Sequence, residues 1–124
     1  MIKKETDLRE LLNDDFLFNV SIIDGELSID FKVLKIKFES YLVLKVGYPN
    51  DEIYMFDEFY NENNLASLII YQILDSKWIE NMEIQNSVHP RHRPGLFASD
   101  KHYRIYFEDE IFECVAKSYH IIKK

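Results

Sequence analysis

Apolar positions in the first third of the chain recur mostly at every second residue. Phe16, Phe18, Val20 and Ile22 alternate with smaller or polar neighbours, which is the period of a half-buried strand. Asp24-Gly25 follows, and both central residues of the favoured two-residue hairpin turn need positive φ, which suits this pair. The return strand carries Leu27, Ile29, Phe31 and Val33 on one face. At Val33-Leu34 the phase flips, and Leu34, Ile36 and Phe38 continue on the other parity. A one-residue shift turns every side chain over, so a bulge or a break is expected there. Lys32, Lys35 and Lys37 then line the exposed side. Tyr41 to Tyr48 predicts a further strand on Leu42, Leu44 and Val46, and residues 47–51 (GYPND) have turn chemistry. Ile53 to Phe59 reads as another strand, short and rich in aromatics.

Helical spacing shows at two places. Glu5 to Asn13 places Leu8, Leu11 and Leu12 on one face, with Thr6 as N-cap and Asp7 and Glu10 early, which predicts a short N-terminal helix. After Asn63-Asn64, Leu65, Leu68, Ile69 and Ile73 form one stripe, and Ile70, Leu74 and Trp78 form a second. Apolar residues on two faces predict a helix buried against a sheet.

Residues 86–100 (NSVHPRHRPGLFASD) hold two of the three prolines and read as a long loop. The chain closes with strands at Lys101 to Phe107 and Ile111 to Ile122, joined by the acidic turn Glu108-Asp109-Glu110. The expected fold class is α+β: a mainly antiparallel sheet of about five to six strands with one buried core helix (about 63–82) and a short N-terminal helix. No repeat, linker or low-complexity tract interrupts the chain, so one domain over residues 1–124 is expected.

Composition adds a packed core and a direction of charge. Apolar residues make up 47% and aromatics 15% of the 124 residues, which disfavours disorder. The net charge of −7 disfavours direct nucleic-acid binding, which needs a basic face, and suits a basic partner. No apolar run exceeds four residues, so neither a signal peptide nor a membrane span is expected and the reading is cytoplasmic. Cys114 is the single cysteine and lies in an alternating apolar segment, where a small buried hydrophobe is expected rather than a reactive thiol.

The excess charge is local. Residues 1–62 carry a net −7, residues 63–124 are neutral, and no Lys or Arg occurs between Lys45 and Lys77. That window interleaves Asp51, Glu52, Asp57, Glu58 and Glu62 with Tyr54 and Tyr60. Acids among aromatics suit a surface that steers a basic protein and then anchors it. Two other readings stand beside this one: a solvated acidic loop with its aromatics turned inward, or carboxylates for a hard cation, though no D-x-D-x-D-G spacing is present. No cofactor or metal is expected.

A second constellation is His89-Pro90-Arg91-His92-Arg93, followed by His102 and Arg104. The histidines have metal-ligand chemistry, but the adjacent arginines repel a cation. Phosphodiester chemistry is coherent, with His92 or His102 as general acid-base and Arg91, Arg93 or Arg104 bracing the anion. The third reading is a locally basic loop that pairs with the protein's own acids or with a partner.

The tail from Ser99 to Ile121 (SDKHYRIYFEDEIFECVAKSYHI) has an H-Y-x-I-x-F strand, an acidic turn, then an apolar strand with a Glu-Cys step. With the small size, acidity and single cysteine, it resembles the immunity proteins of bacterial contact-dependent growth inhibition and other polymorphic toxin systems. The resemblance implies an inhibitor that binds one cognate toxin domain, such as a nuclease with a basic cleft, and implies no catalytic residues. The contact set expected from charge is Asp51, Glu52, Tyr54, Asp57, Glu58, Tyr60 and Glu62. Homodimerisation through an edge strand is left open, and the alternative function is a small phosphodiesterase or RNA-processing enzyme using the His/Arg loop.

Overall fold

The computed structural model describes residues 2–47, 65–91, 93–108 and 110–124. These residues form nine strands and one α-helix, with every strand pair antiparallel. The strands are β1 (Ile2–Asp7), β2 (Phe18–Ile23), β3 (Glu26–Phe31), β4 (Leu34–Glu39), β5 (Val43–Gly47), β6 (Ile69–Ile73), β7 (Lys101–Tyr106), β8 (Ile111–Ala116) and β9 (Ser118–Lys123), and α1 is Lys77–Ser87. A five-stranded sheet has the order β1-β6-β7-β8-β5, and a four-stranded sheet has the order β2-β3-β4-β9. The α+β class holds, with more strands than the sequence pattern shows.

The two sheets face one another across a shared core. Leu27, Ile29, Phe31, Leu34, Ile36 and Phe38 come from one sheet, and Ile70, Tyr103, Ile105, Phe112, Cys114 and Ala116 from the other. Phe38 bridges them, with ring centroids 5.2 Å from Phe112 and 5.9 Å from Tyr103. The β2–β3 hairpin forms as its pattern predicts. Ile23 pairs with Glu26, and Asp24 and Gly25 both take positive φ (52° and 79°) in the turn. The phase flip at Val33-Leu34 is a break: β3 ends at Phe31 and β4 starts at Leu34, so both parities face the same core.

The expected N-terminal helix is not present. Ile2 to Asp7 pair as β1 with β6, and the register shifts between Lys4 and Thr6. The helical spacing of the leucines is real but lasts a single turn, in which the Leu11 and Leu12 N–H groups donate to the Leu8 carbonyl and Leu8 and Leu12 are buried. Asn13 and Asp14 then adopt positive φ and end it. A turn this short stands far below the length at which helix formation becomes favourable, so the neighbouring ladder prevails.

The core helix expected near 63–82 is corrected as well. Leu65 and Leu68 to Tyr71 are buried, but Ile69–Ile73 is a strand between β1 and β7. Three consecutive buried residues, Ile69, Ile70 and Tyr71, suit a strand covered on both faces, and a short apolar run cannot be told from a buried helix by period alone. Leu68 and Asp75 at positive φ bound the extended segment. The helix starts later, at Lys77, capped by Ser76 whose hydroxyl accepts from the Ile79 N–H, and none of its residues is buried.

The last expected strand is divided at Lys117. β8 pairs with β7 and β5 in one sheet, whereas β9 pairs with β4 in the other. Inward residues change from Phe112, Cys114 and Ala116 to Tyr119 and Ile121, so the parity flips where the chain changes sheet. The strand expected over Ile53 to Phe59 lies outside the described residues.

Cys114 is fully buried, and burial pushes its thiol well above the ordinary range. It is expected to stay unreactive toward an aromatic disulfide reagent in the native protein and to react fully in denaturant. Titration at free-thiol rate under native conditions would contradict this placement.

Candidate functional site

The expected contact residues Asp51, Glu52, Tyr54, Asp57, Glu58, Tyr60 and Glu62 lie outside the described residues, as does His92. Two other places bring chemistry together.

The first is a groove of about 990 Å³ at one edge of the sandwich. Asp14, Asp15, Phe16 and Leu17 enter it from the link before β2, and Phe18, Asn19 and Val20 from β2 itself. Val46 on β5, Ser67 and Leu68 before β6, and Phe107, Glu108 and Glu110 at the β7–β8 turn complete it. Among the described residues, four carboxylates line this groove and no Lys, Arg or His does. Its floor is aromatic: Phe18 and Phe107 stack with centroids 3.9 Å apart. Leu17 stands 83% exposed on its rim, and Phe16 is also exposed. The Phe107 N–H donates to the Glu110 carbonyl at 2.8 Å, which tightens the turn presenting Glu108.

The second is a polar chain on the outer face of the five-stranded sheet. Arg104 on β7 pairs in register with Glu113 on β8. The guanidinium donates through Nε at 2.7 Å, and its Nη2 lies 2.6 Å from the same Glu113 Oε1. His102 Nε2 lies 2.8 Å from that oxygen, and His102 Nδ1 lies 2.7 Å from Ser76 Oγ. Ser76 Oγ already accepts the Ile79 N–H. With the ring neutral, the hydroxyl therefore donates to Nδ1 and Nε2–H donates to Glu113. Arg104 Nη1 donates to the Tyr106 hydroxyl at 3.0 Å, and Trp78 of α1 sets its ring edge-on to His102. Burial pushes the Glu113 carboxyl up, but hydrogen bonds from His102 and Arg104 and the Arg104 charge outweigh it, leaving the group below its ordinary value.

His102 and Arg104, both candidates for phosphodiester chemistry, thus meet on Glu113. Ser76, His102 and Glu113 are all buried. Among the described residues, the other arginines of that set stay apart from them. His89, Arg91 and Arg93 lie in the exposed segment between α1 and β7, where His89 Nδ1 accepts the Arg91 N–H. Among the described residues no three His, Cys, Asp or Glu side chains stand together as a metal site. No helix among them is long and apolar enough to cross a membrane.

Sequence reasoning missed the groove, and of the polar chain it missed Ser76 and Glu113. Asp14-Asp15 beside Phe16-Leu17 repeats, in miniature, the acidic-aromatic pattern noted further along, and could have been found by the same criterion. Its junction with Glu108 and Glu110, over ninety positions away, has no sequence signal. Comparison with protein-family models, with characterised proteins and with solved structures finds no match.

Proposed function

We propose that this chain is an inhibitor of the immunity type, which neutralises a basic toxin domain by stoichiometric binding. The observation that carries this reading is the groove: four carboxylates with no basic residue among its described lining, set over stacked aromatics and rimmed by exposed Phe16 and Leu17. Carboxylates there raise the encounter rate with a basic surface, and the apolar rim supplies anchoring area once water is expelled. Val46 and Ser67 both line the groove, and residues 48–64 lie between them in the sequence. That stretch carries Asp51, Glu52, Asp57, Glu58 and Glu62 together with Tyr54 and Tyr60, which extend the proposed contact set. The resemblance of the Ser99 to Ile121 tail to immunity proteins points the same way.

The alternative, a small phosphodiesterase or RNA-processing enzyme, would draw on His92, His102 and Arg104. It gains the convergence of His102 and Arg104 on one carboxylate. Against it, Arg104 is held by Glu113 and Tyr106 and would have to leave them to brace an anion.

Co-expression with a panel of basic nuclease-type toxin domains tests the inhibitor reading. One of them is expected to be neutralised, with complex formation slowing by about tenfold or more as salt rises through the range where surface charges are screened. The Asp14→Lys/Asp15→Lys variant is expected to lose protection, whereas Arg93→Ala keeps it. Protection untouched by the double reversal, or hydrolysis of a model phosphodiester that disappears with His102→Ala, would overturn the proposal.

A further inference from the structure

We infer that β2 is a docking edge, to which a basic, apolar-alternating strand of the partner adds as a fifth strand of the four-stranded sheet. This rests on the inhibitor reading and adds the mode of binding. Among the described residues β2 is an outer strand, paired only with β3. Its pairing starts at Ile23↔Glu26 across a two-residue turn, and such a pair is hydrogen-bonded. Alternate residues therefore turn their backbone outward, so the N–H and C=O groups of Phe18, Val20 and Ile22 point away from β3. Among the described residues nothing hydrogen-bonds to them.

Sheet edges carry devices against unwanted pairing: charges, prolines and bulges. Among the described residues, the other three edges have such devices. β1 carries Lys3, Lys4, Glu5 and Asp7 and a register shift, β5 carries Lys45, and β9 carries His120 and Lys123. β2 reads FNVSII, without a charge or a proline, and its six pairs run in unbroken register. Exposed apolar side chains flank it, Leu17 on the approach and Ile23, 66% exposed, at the far end. An unprotected edge of this kind is what strand addition uses, with main-chain hydrogen bonds for affinity and alternate side chains for selection.

Charge selects the occupant. Asp14 and Asp15 precede β2, Asp24 follows it, and Glu108 stands across the groove beside it. A second copy of this chain, added antiparallel, would set Asp14 and Asp15 of one copy near Asp24 of the other. A strand bearing Arg or Lys outward and Val or Ile inward instead meets carboxylates at both ends and the apolar rim between.

The test uses the full chain, isotopically labelled, and two cyclised hairpin peptides, one alternating Arg and Val and the other alternating Glu and Val. The Arg/Val hairpin is expected to bind and shift the amide signals of Phe18, Val20 and Ile22, and the Glu/Val hairpin is expected not to bind. Val20→Pro removes an outward N–H without touching a bond to β3, and is expected to weaken binding by about tenfold. Ile23→Lys, at an exposed site where folding is not at stake, is expected to weaken it as well by repelling the basic strand. Salt-sensitive binding that shifts Asp14, Asp15 and Glu108 but not Val20, and survives Val20→Pro, overturns strand addition while leaving the acidic-groove reading standing. Failure of both peptides to bind overturns both, and self-association of the free chain through β2 overturns the choice of partner.

Discussion

Replacing Glu113 with glutamine is expected to lower the stability of the fold by about 3 kcal/mol, because it removes a carboxylate charge from beside a largely buried cation. Arg104 Nε and Nη2 both contact Glu113 Oε1, and His102 contacts the same atom. Both side chains of the ion pair are largely removed from water, with 18% of Arg104 and 12% of Glu113 exposed. The glutamine side chain would keep the shape and one hydrogen bond but not the charge. For a domain of this size the loss corresponds to a fall in Tm on the order of 10 °C, readable by circular dichroism. Replacing Arg104 and Glu113 together by Met and Leu is expected to recover most of it, since a buried pair removed whole costs far less than a pair half removed.

The same site sets a pH dependence. The folded Glu113 carboxyl lies below its ordinary value, so its contribution is fully present above the ordinary carboxylate value. It is lost as the pH falls through the lower, folded value. The wild-type chain is therefore expected to exceed the Glu113→Gln variant in stability above the ordinary carboxylate value and to converge on it as the pH falls through the lower, folded value. A constant difference between the two from pH 3 to pH 7 would show that the carboxylate charge contributes nothing.

Phe38→Ala is expected to cost about 3–5 kcal/mol, the range for deleting a buried aromatic ring. Phe38 projects from β4 to Phe112 and Tyr103 of the opposite sheet and also to Tyr119 of β9. Its removal opens a cavity where the two sheets meet, and strands held by their ladders cannot close it by moving independently. Against a typical folding stability of about 5–15 kcal/mol, that loss leaves a marginal protein. Urea unfolding is expected to show the midpoint falling sharply with an unchanged slope. A change within about 0.5 kcal/mol would mean that the ring is not packed between the sheets.

Local pattern was sufficient where the interacting residues are close in the chain. The Asp24-Gly25 hairpin, the alternation through β3 and β4 and the break between them all follow from period and turn chemistry. Lys117 could have been read in the same way, since inward parity changes there from even to odd. Pattern failed where one element depends on a distant partner. β1 is charged and alternates poorly, yet it is a strand because β6 lies beside it. β6 has an apolar run compatible with either helix or strand, and its place between β1 and β7 decides for strand.

The candidate sites divide in the same way. The sequence alone determines that this is a folded acidic chain, that its excess charge lies before residue 63, and that Asp14-Asp15 adjoins Phe16-Leu17. It also places Arg104 and Glu113 on the two arms of a hairpin. Only the tertiary structure decides that Glu108 and Glu110 join Asp14 and Asp15 around one groove, that β2 stands at a sheet edge among the described residues, and that Ser76 completes the chain through His102 to Glu113. The reason is physical. Period and turn preference act over a few residues, whereas which edge is left unpaired and which charges share a groove are set by how two sheets bury their common core.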